Sequence, residues 1–172
     1  MSSASDRPES SGPVHLVVRF PAHKSGRQEP LLSTGRTGAG DFVYVVYADE
    51  GHVRLGFDHW AYGGSLSAPI AIDYGAPHEI WIGIGSLYPG ADDDRAWRGL
   101  DPSLRRSLAG EVDVRLDGKS VLSLQRATYP SAPGEVTVAQ NAIGGSTSDP
   151  GFSGAVIFAE RAGPVPVPAG GR

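Results

Sequence analysis

The chain has 172 residues, among them 24 glycines, 14 prolines and no cysteine, and its formal net charge is −4. Its length suits one domain with a substantial core, while the missing cysteines exclude disulfides, thiolate metal ligands and thiol catalysis. The acidic balance without a basic block excludes the electrostatic footprint of a nucleic-acid-binding protein, and without an apolar run of about 18 residues we expect no membrane insertion.

The two ends of the chain predict unstructured segments around a folded domain at 14–161. Residues 1–13 are polar and Ser-rich, and they lack the apolar stretch of a signal peptide. Residues 162–172 contain alternating prolines, which cannot donate ladder hydrogen bonds and favour an extended tail or linker. The protein either stays inside the cell or is a piece of a larger exported chain, and these residues do not decide between the two.

Apolar residues alternate with polar ones through most of the domain, which predicts short strands. In the first half the pattern covers residues 14–20, 42–47, 52–57 and 70–72, and Asp49-Glu50-Gly51 predicts a hairpin turn. In the second half it covers residues 79–85, 112–116, 120–124, 136–138 and 155–158, with a second turn at Asp117-Gly118.

A single helix is expected at residues 102–109, with Asp101 as its cap and Pro102 in its first turn. Nine or ten short strands without β-α-β alternation predict an all-β fold. We therefore expect a two-sheet antiparallel jelly-roll sandwich, with one short helix inserted at 90–110.

Several short motifs appear in an order that resembles the laminin-G-like branch of the concanavalin A-like lectin/glucanase superfamily. They are Gly40-Asp41-Phe42, the segment 51–57, Pro77-His78 before an alternating strand, Val114 to Gly118, Ile143-Gly144-Gly145 and Gly151-Phe152-Ser153-Gly154. The resemblance covers roughly residues 33–161. It implies a sandwich fold and binding at the loops along its rim, and it favours an extracellular or cell-surface location.

This sequence departs from the family pattern at three places. Pro77 replaces the usual residue before the histidine, the connection 88–110 is longer than usual, and the closing cysteine pair of many animal members is absent. The last two departures favour a bacterial relative. They also make it unsafe to carry over the identity of a partner.

Residues 58–64 form the most conspicuous candidate for ligand binding, and we interpret them as a loop because they follow a strand and end in two glycines. Asp58, His59, Trp60 and Tyr62 combine hydrogen-bonding groups with aromatic rings, which suits sugar binding and protein interfaces alike. The structural alternative is that Trp60 or Tyr62 folds back to cover an edge of the core.

The resemblance also implies a calcium ion at the sandwich rim, held by Asp58 together with Asn141 or Asp149. Calcium takes about six to eight oxygen ligands, and backbone and water would supply the remainder. In the alternative interpretation these Asp and Asn side chains only stabilise turns. Asp92-Asp93-Asp94 is the densest charge cluster, and it is typical of a solvated loop and unlike an EF-hand.

Glu111 and Asp113 resemble the paired carboxylates that glucanases of this fold carry on one strand. However, Asp117 stands in a glycine turn where a third strand carboxylate would be needed, and no aromatic cleft residues flank the segment. A hairpin edge with polar residues facing outward explains these residues fully. His78 is expected to make structural hydrogen bonds, and His15 and His52 to lie on exposed strand faces.

The sequence therefore favours a non-catalytic binding module whose ligand is a carbohydrate, or a glycan-bearing or protein partner. The ligand-binding residues would be Asp58, His59, Trp60, Tyr62, Asn141 and Asp149, with calcium as a bridge. Two alternatives stay open: a glycoside hydrolase or lyase of the same fold, and an architectural module of a larger surface protein. The sequence does not specify the oligomeric state.

Overall fold

The computed structural model describes residues 11–90, 92–94, 97–98 and 101–161. Apart from residues 11–13, the predicted leader and tail lie outside the described residues. The described part of the chain contains eleven strands and one α-helix. No helix among these residues is long and apolar enough to cross a bilayer.

The strands form two antiparallel sheets that pack face to face as a jelly-roll sandwich. The five-stranded sheet contains, in spatial order, β11 (Ala155–Arg161), β1 (Val14–Arg19), β7 (His78–Ile84), β8 (Glu111–Leu116) and β9 (Lys119–Gln125). The six-stranded sheet contains β10 (Val136–Val138), β2 (Gln28–Arg36), β3 (Ala39–Tyr47), β4 (His52–His59) and β5 (Gly63–Leu66), with β6 (Ile70–Ala71) paired to β4. The predicted fold class is confirmed.

The core lies between the sheets because alternate residues of each strand point inward. The inward-facing aliphatic residues are almost completely shielded from solvent, and they include Val14, Leu16, Val18, Val53, Leu55, Ile80, Ile82, Ile84, Val112 and Val114. Burying each such side chain contributes about 1.5–3 kcal/mol. This alternation fixes the strand register, since a one-residue slip would turn every apolar side chain outward.

Nine of the strands coincide with the predicted ones, and the sequence pattern missed β2 and β5. Pro30 interrupts the pattern of β2, yet it lies at a register irregularity and outside the short stretch that pairs with β10. A proline is tolerated there because no partner strand needs its missing N–H. β5 begins with Gly63 and Gly64, which carry no apolar side chain, so the alternating pattern did not predict this strand.

The predicted helix is confirmed as α1 (Pro102–Ala109), and Asp101 accepts a hydrogen bond from the Ser103 N–H at 2.6 Å. His78 has the structural role expected of it. Its Nδ1 lies 2.7 Å from the Asp117 carboxylate and its Nε2 lies 2.8 Å from the Asp73 carbonyl oxygen.

The strand β11 forms one edge of the five-stranded sheet, and it is exposed on both faces. Its apolar residues Val156, Ile157 and Phe158 are 40%, 51% and 41% exposed. Within the described part of the chain, β11 pairs with a neighbouring strand, β1, on one side only. An open edge of this kind leaves backbone groups unpaired.

Candidate functional site

A loop formed by residues 141–150 lies on the outer face of the six-stranded sheet. The loop is closed at its base because the Asn141 N–H donates to the Pro150 carbonyl oxygen at 2.9 Å. Ile143 holds it against the sheet by packing on Phe42 and Tyr44, which point outward from β3. The loop is therefore anchored to the sheet by the contacts among these three buried side chains.

The shape of the 141–150 loop depends on Asn141 and two glycines. The Asn141 side-chain oxygen accepts the Gly144 N–H at 2.7 Å, and its amide nitrogen donates to the Ser148 carbonyl oxygen at 3.3 Å. Gly144 and Gly145 have φ values of 81° and 80°, in the left-handed region that favours glycine. These two glycines belong to one of the motifs that carried the family resemblance.

A groove of about 570 Å³ opens between this loop and the start of β2. Its size falls in the range of small-ligand sites. The groove is lined by Gly26, Arg27, Gln28, Asn141, Gly144, Gly145, Ser146, Thr147, Ser148, Asp149 and Pro150. Apart from Pro150, these side chains are polar or absent, so the walls offer hydroxyl, amide, charged and backbone groups.

Arg27 and Asp149 form an ion pair in the wall of the groove. The Nε and Nη2 atoms of Arg27 lie 2.9 Å and 2.7 Å from Oδ2 of Asp149. The Asp149 N–H donates to the Gln28 carbonyl oxygen at 2.8 Å, which ties the end of the loop to β2. The pair places a fixed cation and a fixed anion side by side, an arrangement suited to ligands that both donate and accept hydrogen bonds.

Asp58 and Trp60 support the 141–150 loop from the neighbouring strand end. The Asp58 carboxylate accepts a hydrogen bond from the Thr147 hydroxyl at 2.7 Å. The Trp60 ring packs on the Phe42, Tyr44 and Ile143 cluster, and its ring atoms lie 3.2 Å from where a Cβ on Gly145 would stand. Trp60 thus lies under the loop on the outside of the sheet, and part of its ring is covered by backbone.

The interpretation of residues 58–64 as a single loop is wrong. β4 continues through His59 and β5 begins at Gly63, which leaves a three-residue turn. Because successive side chains of a strand point to opposite faces, Asp58 and His59 are separated by the sheet. Asp58 faces the groove side, while His59 faces the interior.

His59 belongs to a second cluster, which lies at the end of β4 on the side of the six-stranded sheet that faces the interior. Its Nδ1 lies 2.6 Å from Oδ1 of Asp41, and its ring stacks between Tyr129, at 4.3 Å, and Tyr62, at 5.2 Å. Tyr62 is 69% exposed, and its carbonyl oxygen accepts a hydrogen bond from Arg126 at 3.0 Å. Of the six predicted ligand-binding residues, Asn141 and Asp149 line the groove, Asp58 and Trp60 support its loop, and His59 and Tyr62 belong to this second cluster.

Asp41 is completely buried, and its two carboxylate oxygens serve different partners. Oδ1 meets His59, and Oδ2 accepts the Tyr129 N–H at 2.8 Å. Burial raises the pKa of the Asp41 carboxyl, and the hydrogen bonds from His59 and Tyr129 oppose that rise. Asp41 thereby joins β3, β4 and the segment that follows β9.

Among the described residues, no three His, Cys, Asp or Glu side chains come together as a metal site would need. Of the residues predicted for calcium, Asp58 is bonded to Thr147, and the Asn141 amide oxygen accepts the Gly144 N–H. These oxygens hold the loop in shape. Calcium binding by Asp58 with Asn141 or Asp149 stays a prediction.

Glu111 and Asp113 lie on the outer face of the five-stranded sheet, whereas the groove lies beside the six-stranded sheet. Two aromatic residues lie near these carboxylates in the fold: the Tyr88 hydroxyl donates to Glu111 at 3.4 Å, and Trp81 pairs across the ladder with Arg115. Asp113 accepts hydrogen bonds from Arg115 and Ser120. Burial, together with the charge of Asp113, raises the pKa of Glu111.

The structure also shows how exposed His15 and the aspartates at 92–94 are, compared with the sequence-based predictions. His15 was expected on an exposed face, but its ring stacks on Trp81 at 4.5 Å and packs edge-on to Phe158. The three aspartates at 92–94 are exposed as expected, with Asp94 paired to Arg105 at 2.8 Å.

Sequence reasoning missed Arg27, Gln28 and Thr147 as parts of the groove. The polar run Ser146-Thr147-Ser148 between Gly145 and Asp149 is the signal that would have found one wall. No local signal marks Arg27, because it is far from Asp149 in the sequence and only the tertiary fold brings the two side chains into contact.

No protein-family model matches the chain, and no curated protein matches it. Among solved structures, it is similar to the CBM40 of the Ruminococcus gnavus IT-sialidase bound to α2,3-sialyllactose, with 12% identity, 87% of this chain and 73% of that chain covered, and a TM-score of 0.48. It is also similar to the native heptameric SAP-like pentraxin from Limulus polyphemus, with 12% identity, coverage of 91% and 71%, and a TM-score of 0.48. Both are likenesses of fold.

Proposed function

We propose that this domain is a non-catalytic binding module that recognises carbohydrate in the groove beside the 141–150 loop. The observation that carries the proposal is the lining of that groove, which combines the Arg27–Asp149 pair with a run of hydroxyl and backbone groups. A sugar presents adjacent hydroxyls that donate and accept at the same time, and such a lining can match both roles.

The composition of the groove favours a sugar over a protein partner. Protein interfaces depend on a few buried aromatic or apolar anchors at their centre. Here the aromatic side chains of Phe42, Tyr44 and Trp60 pack beneath the loop, and among the described residues no large apolar side chain lines the groove. A hydroxyl-rich ligand loses less on entering such a site than an apolar side chain would.

In this proposal the residues have distinct roles. Arg27, Asn141 and Asp149 line the groove and contact the ligand, while Asp58 and Trp60 hold the loop that forms its wall. We further propose that the domain belongs to the laminin-G-like branch, on the strength of the motif order, and that calcium bound near Asp58 assists the ligand.

A glycan array followed by calorimetric titration of the best glycan tests the proposal. Asp149→Asn and Arg27→Gln each remove one partner of the ion pair, and we expect at least tenfold weaker binding from either change. Tyr62→Ala is the matched control, because Tyr62 is exposed on another surface, and we expect its affinity to stay within twofold of the wild type. Repeating the titration with a chelator tests the calcium proposal separately.

Absence of glycan binding by the wild-type domain would contradict the proposal and favour the architectural alternative. The hydrolase alternative has its own support in the raised pKa of Glu111 and the nearby rings of Tyr88 and Trp81. It predicts turnover of a polysaccharide that disappears in Glu111→Gln. Our proposal predicts no turnover and unchanged glycan affinity in that variant.

A further inference from the structure

A second cavity lies between the edges of the two sheets, away from the groove. Its volume is about 300 Å³. Val136 of β10 and Arg161 of β11 line it from opposite sheets, and Ser86, Leu87 and Ser131 close it at the end of the sandwich. The cavity is at the lower end of the size range for small-ligand sites.

Arg161 brings a positive charge to this cavity. It pairs across the ladder with Val14, whose side chain is buried in the core, so the Arg161 side chain also turns inward. Its Nη2 donates to the Leu87 carbonyl oxygen at 2.7 Å, and the same oxygen accepts the Gly12 N–H at 2.9 Å. Its Nε is enclosed and has no hydrogen-bond partner.

No ion pair within the described part of the chain neutralises Arg161. A guanidinium that has lost much of its water and has gained only a carbonyl partner is incompletely compensated. Burial lowers the pKa of Arg161, in keeping with this loss of water. An anion in the cavity would compensate the charge of the guanidinium group, which lines it.

We propose that the cavity beside Arg161 binds a small oxyanion, namely a carboxylate or a phosphate group. Arg161 lines the cavity and can donate charge-assisted hydrogen bonds from its guanidinium group, and Ser11 is a further polar residue of the lining. Asp93 also lines the cavity. We place the ligand on the Arg161 side.

Titration with sodium acetate and, separately, with inorganic phosphate tests this site in the unmodified chain. Heteronuclear NMR follows the backbone amides and the arginine Nε–H signals, with sodium chloride at matched ionic strength as the reference. We expect saturable shifts confined to Arg161 and to the amides around Ser86, Leu87 and Ser131. Whichever of the two titrations, acetate or phosphate, saturates at the lower concentration identifies the oxyanion that the cavity binds more tightly.

Two substitutions separate the site from general attraction to basic side chains. Arg161→Gln should weaken binding at least tenfold, whereas Arg19→Gln, on an exposed position of the adjacent strand, should leave it within twofold. If Arg161→Gln proves unfolded, the wild-type titration alone decides. Linear, unsaturable shifts, or shifts spread over several arginines, would overturn the proposal, as would unchanged binding in a folded Arg161→Gln variant. None of these results depends on the carbohydrate groove.

Discussion

At the scale of single residues, the contacts of Asp41 distinguish structural from functional carboxylates in this fold. Asp41, Asp58 and Asp149 lie in or near the predicted binding region, but only Asp149 lines the groove. Asp41 is buried and connects three segments, and Asp58 holds a loop. The sequence predicted Asp58 and Asp149 as ligand-binding residues and identified Asp41 only as part of a motif, and the hydrogen-bond partners of the three carboxylates assign them different roles.

Asp41→Ala is predicted to destabilise the domain by about 3 kcal/mol, because it leaves the His59 Nδ1 and the Tyr129 N–H buried without an acceptor. Urea denaturation measures the effect. Asp92→Ala, at an exposed loop position, serves as the control and should change the free energy of unfolding by less than about 0.5 kcal/mol. Equal effects of the two changes would contradict the structural role of Asp41.

Glu111→Gln is predicted to stabilise the domain at neutral pH. The pKa of Glu111 is raised in the folded chain, mainly by burial and also by Asp113. For such an acid, the contribution to stability is fully present below the unfolded pKa and is lost as the pH rises through the folded pKa. Glutamine does not ionise, so the variant avoids this loss.

The stability gained by Glu111→Gln should therefore be present at about pH 7. It should disappear at about pH 3, where the wild-type glutamate is protonated and as neutral as the glutamine that replaces it. Thermal unfolding across this pH range measures it, with Glu50→Gln on an exposed turn as the control. A stability difference independent of pH would show that the pKa of Glu111 is not raised by its surroundings.

At the scale of secondary-structure elements, the connection between β8 and β9 shows how backbone conformation sets strand pairing. The turn between β8 and β9 contains Asp117 and Gly118, with φ values of 48° and 79°. Two successive positive φ values are typical of the type I′ turn, whose twist matches that of paired strands. Asp117 also accepts the Glu79 N–H, so this turn fixes the position of β7 as well.

Gly118→Ala is predicted to destabilise the domain by about 1 kcal/mol, because alanine is strained at a positive φ. No atom would contact the added methyl group, so the cost is conformational alone. Gly134→Ala is the matched control, since its added methyl group is equally free and its φ is not in the left-handed region. Chemical denaturation should show a loss for Gly118→Ala and none for Gly134→Ala.

At the scale of the whole molecule, alternation of apolar residues predicted the sandwich and most of its strands. The pattern identifies a strand where one face is apolar, as in Ile80, Ile82 and Ile84, and it fails where proline or glycine interrupts it, as at Pro30 and Gly63. The sequence also predicted Asn141 and Asp149 as ligand-binding residues, and both line the groove.

The rest of the candidate site depends on long-range contacts that no local pattern contains. Arg27 reaches Asp149 only because β2 passes beside the loop that precedes β11. Likewise, Asp58 and His59 point to opposite faces because β4 extends two residues beyond its predicted end, and no local pattern marks where this strand ends. Each of these outcomes is decided by strand length and packing.

Mapping a bound glycan onto the folded domain by NMR tests the central claim most directly. Addition of the best glycan from the array should shift the amide signals of residues 26–28 and 141–150, and leave those around Trp81 and Tyr62 unchanged. Shifts concentrated on the outer face of the five-stranded sheet, near Trp81 and Glu111, would contradict the account and place recognition on the opposite side of the molecule.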